Sequence, residues 1–228
     1  MTTLRFLALT SSTALALSAC TNGITANGVG LKESFDAYLA ALAANADFVT
    51  SDPSVLPTSG TATYEGGAYF DLTPNGSTQG DLIASRMTAN VTYTTNDWGL
   101  TAQLTDASRF GLAEDEYEGF GDAIAGRSDI DTFELFADSF RDVEPLEGDV
   151  TLSVQDVPVG TADFTTQMRG TLTGPTSTVE IDAPVYGFFV GPDAEGLRMT
   201  GTNFGNLELE VNGQDYSAYF DARGVRQD

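Results

Sequence analysis

The sequence predicts a mainly β protein: an antiparallel up-and-down barrel of about eight strands, preceded by one amphipathic helix. Three observations carry this reading. From Gly60 onward apolar and polar residues alternate, as Met87, Ala89, Val91 and Tyr93 do against Thr88, Asn90 and Thr92. The alternating runs are joined by short turns, among them Asn212-Gly213, the commonest two-residue hairpin signal. Before Gly60 the period changes, and Leu31, Phe35, Tyr38, Leu39 and Leu42 fall on one helical stripe. Strands with one apolar and one polar side suit a closed barrel, filled by side chains or holding one small ligand. A two-sheet sandwich is the alternative.

The N-terminus reads as an export signal. Arg5 supplies a positive start, Phe6 to Leu17 form a short apolar and hydroxyl run, and small residues lead to Cys20. That run is too short to span a bilayer. Leu17-Ser18-Ala19-Cys20 looks like a bacterial lipobox, in which the cysteine is acylated and becomes the first residue after cleavage. Residues 1–19 are then a lipoprotein signal peptide, and Cys20 is the lipidation site. Leu17 is too large for an ordinary A-x-A cleavage site. Several acyl chains on one residue give stable anchoring, at about 0.8 kcal/mol per buried CH₂.

The polar, glycine-rich residues 20–30 read as a flexible tether. Residues 31–58 hold the helix and a linker in which Pro53 and Pro57 stop helical structure. The helix lacks the basic polar face of interfacial helices, so its stripe is expected to dock on the protein's own domain. Residues 59–228 form the barrel. Trp98, Leu100, Ala102 and Leu104 share a predicted inward face, and further strands read at Val150–Val157, Asp163–Leu172, Thr178–Phe189, Arg198–Val211 and Tyr216–Ala222. One long insertion, 106–146, interrupts the hairpins. It is rich in acids and aromatics, and Phe133, Phe136 and Phe140 are spaced for a short helix.

Composition excludes several function classes. The net charge of −23 opposes binding to nucleic acid and anionic headgroups. With no histidine, neither a Ser-His-Asp nor a Cys-His system can be assembled, nor an HExxH zinc site. The single cysteine is taken by lipidation, which leaves no disulfide or thiolate metal site. No carboxylate pair stands out for glycoside hydrolysis. Glu114, Glu116, Glu118, Gly119 and Asp122 imitate part of a calcium loop, but Ala125 occupies the place of its bidentate glutamate. No metal, cofactor or catalytic residue is expected, and a haem would need a tyrosine ligand or contacts to its edge. The partner-binding candidates are Phe110, Tyr117 and Phe120 in the insertion, which suit a protein or a small hydrophobic ligand.

The segment from Gly187 to Leu197 reads GFFVGPDAEGL. It resembles the G-x-F-Y-G-P-x-A-E-E-x-G-G element of the transferrin-binding-protein-B-like β-barrel domain of Gram-negative surface lipoproteins. Gly187, Phe189, Gly191, Pro192, Ala194 and Glu195 carry the match, and their expected role is structural. Gly60 to Tyr64 followed by Gly66 is similar to that family's first strand, and Gly224-Val225-Arg226-Gln227 to its G-x-x-R-Q ending. Val190 replaces the usual aromatic, and Gly196-Leu197 replaces the second glutamate and the residues after it. The chain has room for one barrel, so transferrin binding itself is not implied. The resemblance implies a non-enzymatic, lipid-anchored outer-membrane lipoprotein, on the periplasmic face or the cell surface, that binds a ligand or partner. The alternative is a structural or accessory envelope lipoprotein without a small-molecule ligand.

Overall fold

The computed structural model describes residues 27–45, 49–75, 77, 80–112, 116, 120, 139–202 and 206–227. The expected signal peptide, Cys20 and most of the insertion lie outside the described residues. Helix α1 (Asn27–Ala44) is followed by ten strands: β1 (Gly60–Pro74), β2 (Asp81–Tyr93), β3 (Asp97–Gly111), β4 (Arg141–Leu146), β5 (Val150–Pro158), β6 (Asp163–Thr173), β7 (Thr178–Val190), β8 (Gly196–Gly201), β9 (Asn206–Val211) and β10 (Gln214–Gln227). β4 and β5 run end to end beside β3, and β8 and β9 run end to end between β7 and β10. The first strand pairs with the last, from Thr63 opposite Gln227 to Pro74 opposite Tyr216. The result is a closed, eight-stranded antiparallel barrel.

Alternation produces this closure because each strand turns one side inward. Tyr64, Phe70, Trp98, Phe164, Phe189 and Phe220 are buried in one continuous core with the intervening aliphatic side chains. Trp98 sits edge-on to Phe164 and Phe189, at 5.7 and 5.2 Å between ring centroids. Its indole N–H donates to the Thr161 carbonyl at 2.9 Å. Leu100, Ala102 and Leu104 are buried with it, as the alternation predicts. At Asn212-Gly213 both φ values are positive, 51° and 76°, the conformation of the tightest hairpin turn.

The helix begins at Asn27 and so takes in the last residues of the expected tether. Leu31, Phe35, Tyr38 and Leu42 bury against the outer wall of the barrel, over Tyr69, Leu82, Ala84 and Phe110. Close approach is possible because Gly67 lies beneath the helix backbone. A Cβ there would stand 2.6 Å from the Tyr38 nitrogen and 2.8 Å from the Ser34 carbonyl oxygen. No described helix is long and apolar enough to cross a membrane.

The insertion is shorter than the expected 106–146. β3 continues to Gly111, and Arg141–Leu146 returns as β4 beside it. The register shifts between Ala84 and Arg86 of β2, opposite an Asp106 with φ of 52°, so the inward face changes parity there. The expected loop start is therefore a bulge in a continuing strand.

Candidate functional site

Tyr64 of β1, the turn at 191–195 and Arg226 of β10 meet at one end of the barrel. After β7, Gly191 adopts φ of 93° and Ala194 φ of 54°, which folds residues 191–195 into a tight turn. The Tyr64 hydroxyl donates to the buried Ala194 carbonyl at 2.8 Å. Arg226 donates from Nη1 to the Asp193 carbonyl at 2.7 Å and from its backbone N–H to the Glu195 carbonyl at 2.7 Å. The linker closes over the same turn: Gly191 N–H donates to Val49 O at 2.9 Å, and Ser51 Oγ to Gly191 O at 2.7 Å. Gly187 is required by packing, since a Cβ there would lie 2.2 Å from the Phe164 ring. Phe189 is a core side chain and Pro192 is exposed. Burial raises the Tyr64 phenol far above its ordinary value, as does its neighbour Tyr93, so it stays neutral and donates.

The partner-binding candidates divide. Phe110 and Phe120 are inside, not on the surface: Phe110 is 0% exposed and Phe120 1%. Phe110 packs on Phe140 at 4.7 Å, and Phe120 on Phe35 at 5.4 Å, so both hold the helix to the wall. Tyr117 lies outside the described residues. So do Glu114, Glu118 and Asp122 of the acidic run, as well as Phe133 and Phe136.

Sequence reading missed an ionic cluster at the opposite end of the barrel. Asp81, Arg109 and Glu144 follow the core-facing positions of Ile83, Ala107 and Leu146 at the last inward rung. The Arg109 guanidinium bonds Asp81 and reaches Glu144 at 3.4 Å. Glu144 also accepts from Ser177 Oγ, from Thr176 N–H at 3.1 Å and from Thr176 Oγ1 at 2.8 Å. Burial pushes the Glu144 carboxyl up, but bonds from Ser177 and Thr176 and the charge of Arg109 outweigh it and hold it below its ordinary value. One guanidinium thus serves two carboxylates at this end of the barrel.

A second buried carboxylate lies on the outer wall. Asp221 accepts from Tyr38 Oη at 2.9 Å, Arg198 Nε at 2.8 Å and Arg223 Nε at 2.7 Å. Of its three donors, Tyr38 ties the helix to the wall, while Arg198 and Arg223 come from β8 and β10.

Among the described residues, the outer wall away from α1 is exposed. There the strands carry short hydroxyl and carboxamide side chains, and a surface groove of about 420 Å³ runs across β2, β3, β5 and β6. Among the described residues no group of three or more carboxylates, cysteines or histidines gathers in a metal-binding arrangement. No family model matches the chain, and no curated protein matches it.

Proposed function

We propose that this chain is a lipid-anchored, non-enzymatic outer-membrane lipoprotein, similar to the transferrin-binding-protein-B-like barrels, that acts as a binding module. The observation that carries the reading is the meeting of its three resembling segments. The first strand gives Tyr64, the GFFVGPDAEGL element gives the turn at 191–195, and the C-terminal ending gives Arg226, all joined by hydrogen bonds at one end. Residues far apart in sequence are thus explained by one tertiary contact. A core filled by Trp98, Phe164 and Phe189 favours a partner held on the outside over a ligand carried within.

The accessory reading is favoured by one observation, the burial of Phe110 and Phe120, which removes them as an exposed apolar grip. A photo-cross-linker at Gln103, exposed in the outer groove, separates the two. A defined partner recovered in cells supports the binding module, and none supports the accessory role. Anchoring is tested separately by Cys20→Ser. The wild type should take up a fatty-acid analogue and fractionate with outer membranes, while the variant stays soluble and folded. A serine variant that remains with the outer membrane would sink the lipobox.

A further inference from the structure

The barrel wall parts between β5 and β6. Their ladder contains only Val150–Gly170, Thr151–Arg169 and Leu152–Met168. Yet β5 continues beside β3 to Pro158, and β6 pairs with β7 along its whole length from Asp163. From Ser153 onward on one side and up to Gln167 on the other, the two strands face each other without a ladder pair. The cause is a bulge. The β3–β5 register shifts between Trp98 and Leu100, and Asp156 takes φ of 56°, which twists the end of β5 away from its neighbour. The Thr166 hydroxyl, not a backbone N–H, donates to the Ser153 carbonyl. The outer groove lies over the point of parting, where Thr151, Ser153, Gln167 and Arg169 line it.

Unpaired strand edges complement one thing, another extended backbone. Exposed Asp156 stands in the bulge of β5 beside the seam, in a chain of net charge −23. Arg169, the basic residue in the groove, is bonded to Asp182 at 3.1 Å. A second copy of this chain would bring like charge to like, whereas lysines or arginines at alternate positions of a strand would meet Asp156 and the chain's negative field. We propose that the parted edges of β5 and β6 form a strand-addition site for a basic, extended peptide of a partner protein. This rests on the binding-module reading and names its partner class.

Amide hydrogen exchange on the full chain tests it, with a blocked heptapeptide of alternating lysine and valine as probe. In the free protein the seam-facing amides of 153–157 and 163–167 should exchange fast. The probe should slow them about tenfold or more, and a glutamate–valine peptide of equal length should not. Asp156→Asn keeps a residue that tolerates positive φ and should weaken probe binding about two- to fivefold. Slow exchange of the seam in the free protein overturns the proposal, as does protection that grows with protein concentration without peptide. Protection on other strands overturns the seam while leaving a binding module standing. Anchoring, read by fractionation, is independent of all these outcomes.

Discussion

Tyr38 and Asp221 are joined by a 2.9 Å hydrogen bond that spans 183 positions of sequence and ties the N-terminal helix to the last strand. Asp221 is 1% exposed and also receives Arg198 and Arg223, so the helix closes over an already paired carboxylate. Burial, and then the Asp221 charge, push the Tyr38 phenol well above its ordinary value, which keeps it a donor. Tyr38→Phe should cost about 1.5–3 kcal/mol, the range for a hydrogen bond to a charged group. Asp221→Ala should cost more, about 3 kcal/mol or above, because two arginines lose their partner. Urea unfolding of both variants measures the order, and an equal loss would show that the arginines find other acceptors.

Gly67→Ala places a methyl where the helix backbone now lies. The expected loss is about 1–3 kcal/mol, concentrated in the helix rather than the barrel. Limited proteolysis should cut between α1 and β1 in the variant under conditions that leave the wild type intact. Trp98 emission, reporting the barrel core, should not change.

Acid should destabilise the protein partly through Glu144. Its carboxyl is held below the ordinary 4.5 in the folded state, so its contribution is fully present above that value. The contribution is lost as pH falls from about 5 through the lowered native value. Glu144→Gln should therefore flatten the decline of stability with acid, while being less stable than the wild type at neutral pH. Urea midpoints collected between pH 3 and 7 give both slopes, and parallel slopes would remove Glu144 from the acid response.

Trp98→Ala should cost about 3–5 kcal/mol, as large truncations in a packed core do. The Thr161 carbonyl also loses its donor. Denaturant unfolding followed by far-ultraviolet circular dichroism checks it. A loss below about 1 kcal/mol would mean that Phe164 and Phe189 collapse into the space.

Sequence reading succeeded where one side of a strand meets the core and the other meets water. From Met87 to Tyr93 and from Trp98 to Leu104 the burial alternates residue by residue, so period two is visible. It failed under the helix. Leu82, Ile83, Ala84 and Ser85 are all buried, because the outer wall there is covered by α1 and Phe110, and the alternation vanishes. β4 was hidden for a different reason: Glu144 is an inward-facing acid, balanced by Arg109 thirty-five positions away, and nothing local announces that pairing. The same holds for Phe110 and Phe120. An aromatic in an acidic stretch reads alike whether it meets a partner or its own helix, and Phe35 decides between them only in three dimensions.

The pairing of β1 with β10 makes the order of synthesis matter. Gly67, the seat of the helix, is made early, but Asp221 and the edge that covers Thr63 to Pro74 belong to the final fourteen-residue strand. A growing chain can form its hairpins one after another, yet it carries two bare strand edges until β10 emerges. Closure of the barrel is thus postponed until β10 has been made, and a chain stopped short of β10 would be a template for aggregation rather than a smaller barrel.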